Sequence, residues 1–409
     1  MKYIMKNEYK LSTGLTKKNV QEHNLTTILR GIYESGICSR VEIADKVGLD
    51  QATVTRVVQK LVENEIVFES ILGKETGQRG RRSIGLELSP NRYRLVVVRL
   101  QRLSFRVALL DLTGNIMQET ECPIDALKKP SHIFDLIVQS IEKVITDCSE
   151  AVLGMGLTLP GPFLEQSERI ILMTESPDWE DFDIVHRLRK HFSDIPLYSK
   201  HDAKAAALSV WKTQGITTGS RMMLYLSAGQ GIGAGLVIDG EVFRGSLGTA
   251  GEIGHTSIKN DGPKCYCGNY GCLEIYCSRL TLFRNLKANS RHSLPYPLNF
   301  DDVVEAYQMG DKEVMKEVDQ MANYLAQGLV NCINLMNPDL IVLGDEYSRF
   351  GEPFLEIISE KVKKRLLKNV YENIRFQLVQ QKDDLVLSGS YHHVLQSVLF
   401  ESTNPTLFN

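Results

Sequence analysis

The sequence predicts an α/β protein in two parts: a small head of three helices and a β-hairpin, then a larger body of two α/β lobes. Its 409 residues exceed the ~250–300 at which a single hydrophobic core stops growing. The first ninety residues hold three short amphipathic periods separated by glycines, followed by two alternating apolar runs. Beyond Pro90 strand-like runs alternate with helical periods, the pattern of α/β layers.

In the head, Leu25, Ile28, Leu29 and Ile32 recur at i, i+3, i+4, i+7, the apolar stripe of a helix. Gly36 ends it. Ser39 stands three before Glu42, a capping-box spacing, and opens a second helix carrying Val41, Ala44 and Val47. Gly48 breaks that helix, and Asp50 can cap a third with Val54, Val57, Val58, Leu61 and Val62 inward. Ile66–Leu72 reads as a strand, with Ile84, Leu86 and Leu88 alternating as its partner.

Helix, glycine turn, helix is the geometry that lays a second helix into a DNA major groove. The outward set on the third helix includes Gln51, Thr53, Thr55 and Arg56, which can donate to base edges and phosphates and carry no negative charge. The tip of the hairpin, residues 73–82, is rich in glycine and holds Arg79, Arg81 and Arg82. Such arginines suit the negative potential of a narrow minor groove. The first 88 residues are therefore expected to form a winged helix-turn-helix that binds DNA.

In the body, 94–111 reads as a strand pair and 131–148 as an amphipathic helix. Val152–Leu159 is a buried strand running into Pro160-Gly161-Pro162, and Ile195–Ser199 leads into His201-Asp202 and an alanine-rich helix, 203–211. Strands at 222–226 and 234–238 flank a glycine-rich loop, 229–235. Functional groups of α/β folds gather at strand ends, where Asp202 and this loop stand. No internal repeat is evident.

Charge excludes some functions. Lys and Arg total 47 against 50 Asp and Glu, a net of −3, so any nucleic-acid contact must be local to one surface. No run approaches the ~18 apolar residues of a membrane span. Residues 1–10 have no apolar core of a secretory signal. A cytoplasmic protein without a membrane partner is the expectation.

Eight cysteines are too few and too unevenly spread for a disulfide framework. His255, Cys265, Cys267 and Cys272 instead make a tetrahedral zinc set, with Gly268 and Gly271 allowing the chain to reverse between the thiols. A full set of four protein ligands implies a structural ion. Cys277 and Cys332 are read as bystanders.

Taken in order, Pro160-Gly161-Pro162, His201-Asp202-Ala203, the glycine loop, Ala250–His255, Cys265–Glu274 and Asn337–Gly344 resemble the ROK family of sugar kinases and sugar-responsive repressors. With the winged helix in front, the chain looks like its xylose-repressor or N-acetylglucosamine-repressor type. The resemblance implies a two-lobed, actin-like, sugar-kinase-like body. Lobe one would span 89–200 and be completed by a C-terminal helix, 385–405; lobe two, with the zinc loop, would span 201–384.

It also implies a sugar site at His201, Asp202, Glu252, His255 and Glu274, with His255 serving both zinc and sugar. Carboxylates suit that task because each accepts from two neighbouring hydroxyls. On the phosphate side the match fails. Arg99, Gln101, Arg102 and Leu103 stand where the kinases carry the Asp and glycines of a phosphate turn, Gln230 stands for a Thr, and Asp345 for a Gly. Losing the cradle removes the positioning and charge neutralisation on which phosphoryl transfer depends. The expected protein has no catalytic residue. Its expected partners are operator DNA, a sugar or sugar phosphate effector, and a second copy of itself, since one winged helix reads only a half-site. The alternatives are a sugar kinase with an added domain and a regulator controlled by a protein partner.

Overall fold

The computed structural model describes residues 17–71, 84–124, 129–173, 177–288, 294–380 and 384–401. The head opens with α1 (Lys17–Ser35), α2 (Arg40–Val47) and α3 (Gln51–Glu63). The capping box forms as expected: the Glu42 N–H donates to Ser39 Oγ at 3.3 Å, and the Ser39 N–H donates to Glu42 Oε2 at 2.7 Å. Gly48 turns the chain at φ +68°, a conformation that a Cβ would strain, and the Asp50 carboxylate accepts from the Thr53 N–H at 2.8 Å. Ile28, Leu29, Ile32, Ile43, Val54, Val58 and Leu61 close the core.

One inward position differs from the sequence reading. Val41 is 50% exposed and Ile43 is buried in its place. At 100° per residue, Ile43 and Val47 lie 40° apart with Ala44 beside them, whereas Val41 falls well round the helix. Val62 is only half-buried.

β1 (Val67–Ile71) and β2 (Ile84–Leu88) pair antiparallel, Val67 opposite Leu88 and Ile71 opposite Ile84. Cys38 bridges the other edge of β2, exchanging both backbone hydrogen bonds with Leu86. Arg79, Arg81 and Arg82 lie outside the described residues.

In the body, β3 (Tyr93–Leu100), β4 (Ser104–Asp111) and β5 (Ile116–Pro123) form a meander. Then come α4 (Pro130–Thr146), β6 (Ala151–Leu159), the short pair β7 (Phe163–Leu164) and β8 (Arg169–Ile170), α5 (Ile184–His191) and β9 (Leu197–His201). The first sheet runs β5-β4-β3-β6-β9. After α6 (Asp202–Val210), the strands β10 (Met222–Ala228), β11 (Ile232–Ile238) and β12 (Glu241–Val242) form a second meander. They are followed by α7 (Leu273–Cys277), α8 (Arg279–Ala288), α9 (Phe300–Gln308), α10 (Lys312–Met336), β13 (Leu340–Gly344), α11 (Glu352–Lys363), α12 (Lys368–Tyr371) and β14 (Arg375–Leu378). The second sheet runs β12-β11-β10-β13-β14.

The two sheets thus share one topology, a three-stranded meander extended by two parallel strands on its first-strand side. This repeat is carried by topology and escaped the sequence reading. So did β5, a mostly polar edge strand.

α13 (Leu385–Gln396) returns to the first sheet and packs against α6. Glycines permit that contact. A Cβ on Gly389 would stand 1.7 Å from Ala205 O, and one on Gly235 2.3 Å from Ala207 Cβ. The alanine-rich α6 is therefore clamped between α13 and the second sheet, with every residue from Ala203 to Val210 buried. Among the described residues, no helix is long and apolar enough to cross a membrane.

Candidate functional site

The strand ends of the two sheets face each other across a cleft with about 810 Å³ of atom-free space, open to solvent. From the first sheet come Arg99, Gln101 and Arg102 at the β3–β4 turn, Pro160 and Gly161 after β6, and His201 and Asp202 where β9 becomes α6. From the second come Ser227, the loop 230–233, and Asp345 and Glu346 after β13. The structure brings His201, Asp202, Glu252, His255 and Glu274 together as lining of this one cleft.

Local structure holds each group. Asp202 is the first residue of α6, and its Oδ1 accepts from the Ala203 N–H at 2.6 Å and lies 3.3 Å from His201 Nε2. His201 is buried, and its Nδ1 has no hydrogen-bond partner among the described residues. A Cβ on Gly161 would stand 2.5 Å from His201 Cδ2, so the Pro-Gly-Pro turn admits the imidazole only because residue 161 is glycine. Glu274 Oε2 accepts from the Ile232 N–H at 2.9 Å, tying the cysteine loop to the glycine loop.

The cysteine loop is a candidate metal centre. His255 ends a short 3₁₀ turn, Cys265 and Cys267 precede a reversal at Gly268 (φ +92°), and Cys272 immediately precedes α7. The ligand atoms of His255, Cys265, Cys267 and Cys272 all lie within 4.8 Å of one another. Cys267 Sγ and Cys272 Sγ are 3.6 Å apart, and His255 Nδ1 is 3.7 Å from Cys265 Sγ. Metal–sulfur bonds of ~2.3 Å in a tetrahedron put sulfurs about 3.8 Å apart, so these two pairs already stand at the spacing an ion requires and the set as a whole is close to it. With Nδ1 turned to the thiols, His255 still lines the cleft. Burial pushes the Cys265 and Cys272 thiols up, so a metal ion would bind by displacing protons. Cys277 is buried apart from this set, its thiol donating to Leu273 O, and Cys332 is isolated on α10.

The far side of the cleft is held by an ion-pair network. Arg99 Nη1 donates to Asp384 Oδ2 at 2.6 Å, and Arg106 Nη1 donates to the same oxygen at 3.0 Å. Asp384 also caps α13, accepting from the N–H groups of Val386 and Leu387 at 3.0 Å each. Burial would raise its carboxyl, but Arg99, these N–H groups and Arg106 outweigh burial and hold it below the usual range. Opposite, Ser227 donates to Asp345 at 2.8 Å and Glu346 pairs with Arg279. Burial pushes the Glu346 carboxyl up to about 7. Asp384, Ser227, Arg279 and Glu346 were not legible as site residues, because their partners lie far away in sequence.

On the head, Gln51, Thr55 and Arg56 are exposed along α3, Thr53 is half-buried at its start, and Gln59 donates to Glu63 one turn on.

The ROK family model matches residues 96–396, and that of the MarR family matches residues 22–68. The chain is 29% identical over 392 residues to a putative xylose repressor of Caldicellulosiruptor sp. (strain Rt8B.4), covering 93% of this chain and 97% of that protein. Its fold is similar to that of a ROK family transcriptional regulator, a homolog of the E. coli Mlc protein, with a TM-score of 0.77 at 22% identity over 94% of this chain and all of the other. A ROK hexokinase from Thermus thermophilus is also similar in fold, with a TM-score of 0.62 at 24% identity over 75% of this chain and 99% of the kinase.

Proposed function

Because the chain belongs to the ROK family and carries a MarR-like segment in front, we propose that it is a sugar-responsive DNA-binding regulator, a repressor of carbohydrate uptake or catabolism genes, and not a kinase. The observation that carries this reading is the asymmetry of the cleft. Its sugar side keeps Asp202, Glu252, His255 and Glu274 together, while its phosphate side has Arg99 committed to Asp384.

In this reading α3 enters the major groove through Gln51, Thr53, Thr55 and Arg56, and Arg79, Arg81 and Arg82 reach the minor groove. Two chains read two half-sites about one or two helical turns apart. His201, Asp202, Glu252, His255 and Glu274 accept and donate to the hydroxyls of a sugar or sugar phosphate. Zinc at His255, Cys265, Cys267 and Cys272 is structural: when bound, it supplies a fixed tetrahedral anchor. The chain's own residues do the rest, with Glu274 held on the Ile232 N–H and His255 turned to the cleft. The protein works in the cytoplasm, where operator DNA is.

Two measurements test the reading. Operator titrations of wild type and Asp202→Asn, with and without an effector found by thermal shift, should show equal DNA affinity but a blunted response in the variant. A variant responding with wild-type sugar affinity would remove Asp202 from the sensor. Incubation with ATP and common hexoses, pentoses and N-acetylated sugars should give no sugar phosphate; turnover at rates typical of ROK kinases would make the protein an enzyme.

A further inference from the structure

The DNA-reading head is mounted where α6 and α13 end, and the mount is specific. α6 begins in the cleft at Asp202 and ends in a π-helical turn, Trp211–Gly215, while α13 ends in another, Ser397–Glu401. These are the two π-helical turns among the described residues, and both present side chains to α1. Lys212 from the first places its ammonium 4.4 Å from the centroid of the Tyr33 ring. Phe400 from the second packs its ring 5.6 Å from the same ring. The Tyr33 hydroxyl lies 2.8 Å from His392 Nδ1 on α13. Arg30, one turn earlier on α1, sits 5.2 Å over Phe400 and 3.8 Å from Glu241 on β12.

α1 therefore touches three parts of the body at once: the tail of α6, the tail of α13 and the edge of the second sheet. Tyr33 is where they meet. We propose that Lys212 and His392 are positioning residues that clamp Tyr33, and that α6 carries the state of the cleft from Asp202 to this clamp and so to the DNA-reading helix.

Distance and stiffness support the route. Ten residues of helix span roughly 15 Å at 1.5 Å per residue, so one rod reaches from the cleft to the head. Its body is buried on all sides and clamped through Gly389 and Gly235, so it transmits a displacement instead of absorbing it. The π turn is the exception. Its i→i+5 bonding, seen in the Ile216 N–H donating to Trp211 O at 3.0 Å, holds one residue more than an α-turn and can tighten by that residue. Tightening would rotate Lys212 off the Tyr33 ring. Burial depresses the imidazolium of His392 to about 3, so Nδ1 stays a neutral acceptor for the phenol in the tautomer protonated at Nε2.

The inference rests on the sugar-responsive reading, and the test separates the two. The probes are D-xylose, D-glucose, N-acetylglucosamine and their phosphates, screened by thermal shift. For the one that binds, operator affinity is measured with and without it in wild type, Lys212→Met, Lys212→Arg and Tyr33→Phe. Lys212→Met keeps the apolar stem, and Tyr33→Phe removes only the hydroxyl. Expected are wild-type probe affinity and probe-free operator affinity in all three variants, with a modest drop in melting temperature in Tyr33→Phe from the lost hydrogen bond. The probe-induced change in operator affinity should shrink about fivefold or more in Lys212→Met and Tyr33→Phe, and be kept in Lys212→Arg. Amide exchange across residues 25–35 of wild type should also change when the probe binds. A full probe response in both Lys212→Met and Tyr33→Phe, or exchange in α1 indifferent to the probe, would overturn the clamp and leave the sugar site standing. Binding by none of the probes would overturn the sugar reading, and the clamp with it.

Discussion

Asp384→Ala is the most informative single change in the body, because one carboxylate is used four times. In the wild type it accepts from Arg99, Arg106 and the N–H groups of Val386 and Leu387, with its side chain only 10% exposed. Removing it uncaps α13, at a cost of about 1 kcal/mol. Arg106 keeps Glu119 and Glu121, each at 3.2 Å, so its loss is small. Arg99 has no second ion pair within 4 Å among the described residues, Asp345 acting on it only from farther across the cleft. A fully buried unpaired arginine costs ~3–5 kcal/mol; at 21% exposure water recovers part of that, leaving about 2 kcal/mol. The sum is about 3 kcal/mol. Urea unfolding followed by fluorescence of the buried Trp179 and Trp211 measures it. Asp384→Asn, which keeps a capping oxygen, should lose about 2 kcal/mol, isolating the arginine's share. A loss below about 1 kcal/mol in Asp384→Ala would refute the idea that Arg99 depends on this partner. The sign with pH follows from the depressed carboxyl. The stabilisation is complete above the ordinary value of 3.8 and is lost as pH falls through the lower folded value, so the variant should show a shallower acid limb.

Three further outcomes are expected. Cys267→Ser should lower zinc content and melting temperature together, and elemental analysis finding no zinc in unchelated wild-type protein would remove the metal centre. Replacing Arg79, Arg81 and Arg82 with Ala should weaken operator binding and flatten its salt dependence, since fewer counterions are displaced; an unchanged slope would take the wing out of the interface. His392, packed beside Tyr33 and Tyr391, is depressed from 6.5 to about 3 by burial and then by the nearby charge of Lys212. A buried neutral histidine stabilises fully above 6.5 and loses that contribution as pH falls toward 3, by about 1.4 kcal/mol per unit. His392→Gln should therefore flatten the acid limb of a pH–stability curve, an effect absent if the imidazole already protonates near 6.

Local chemistry was legible in the sequence, and long-range pairing was not. Gly48, the Ser39–Glu42 box and the Asp50 cap act within four residues, so spacing alone finds them. The metal cluster was legible because three of its four ligands fall within eight residues. The sugar-side residues came from a family resemblance, since nothing in their separate segments says that 202, 252 and 274 share a wall. The Arg99–Asp384 pair spans 285 positions and left no local mark. β5 was missed because an exposed edge strand buries too little to impose alternation, and its inward side chains are only half-covered. The repeat of topology between the sheets was missed for a related reason: backbone pairing order constrains composition weakly, and the same order can be filled by different residues.

Position 99 connects the cleft to the mounted head. A phosphate turn needs glycines so that backbone N–H groups can approach an anion, and an acid to orient a metal; Arg99, Gln101 and Arg102 supply neither. Yet Arg99 is not idle. It reaches the carboxylate that caps α13, and α13 carries His392 against Tyr33 and leads into the turn that carries Phe400. A kinase would gain nothing from that connection, because it has no α1 to seat. In this chain the same residue that closes the phosphate side also fixes the helix on which the DNA reader rests. Arg99→Ala should therefore loosen the seat of α1. Increased amide exchange in residues 25–35 of that variant is the expected signature; wild-type exchange there would mean that α13 is held by packing alone.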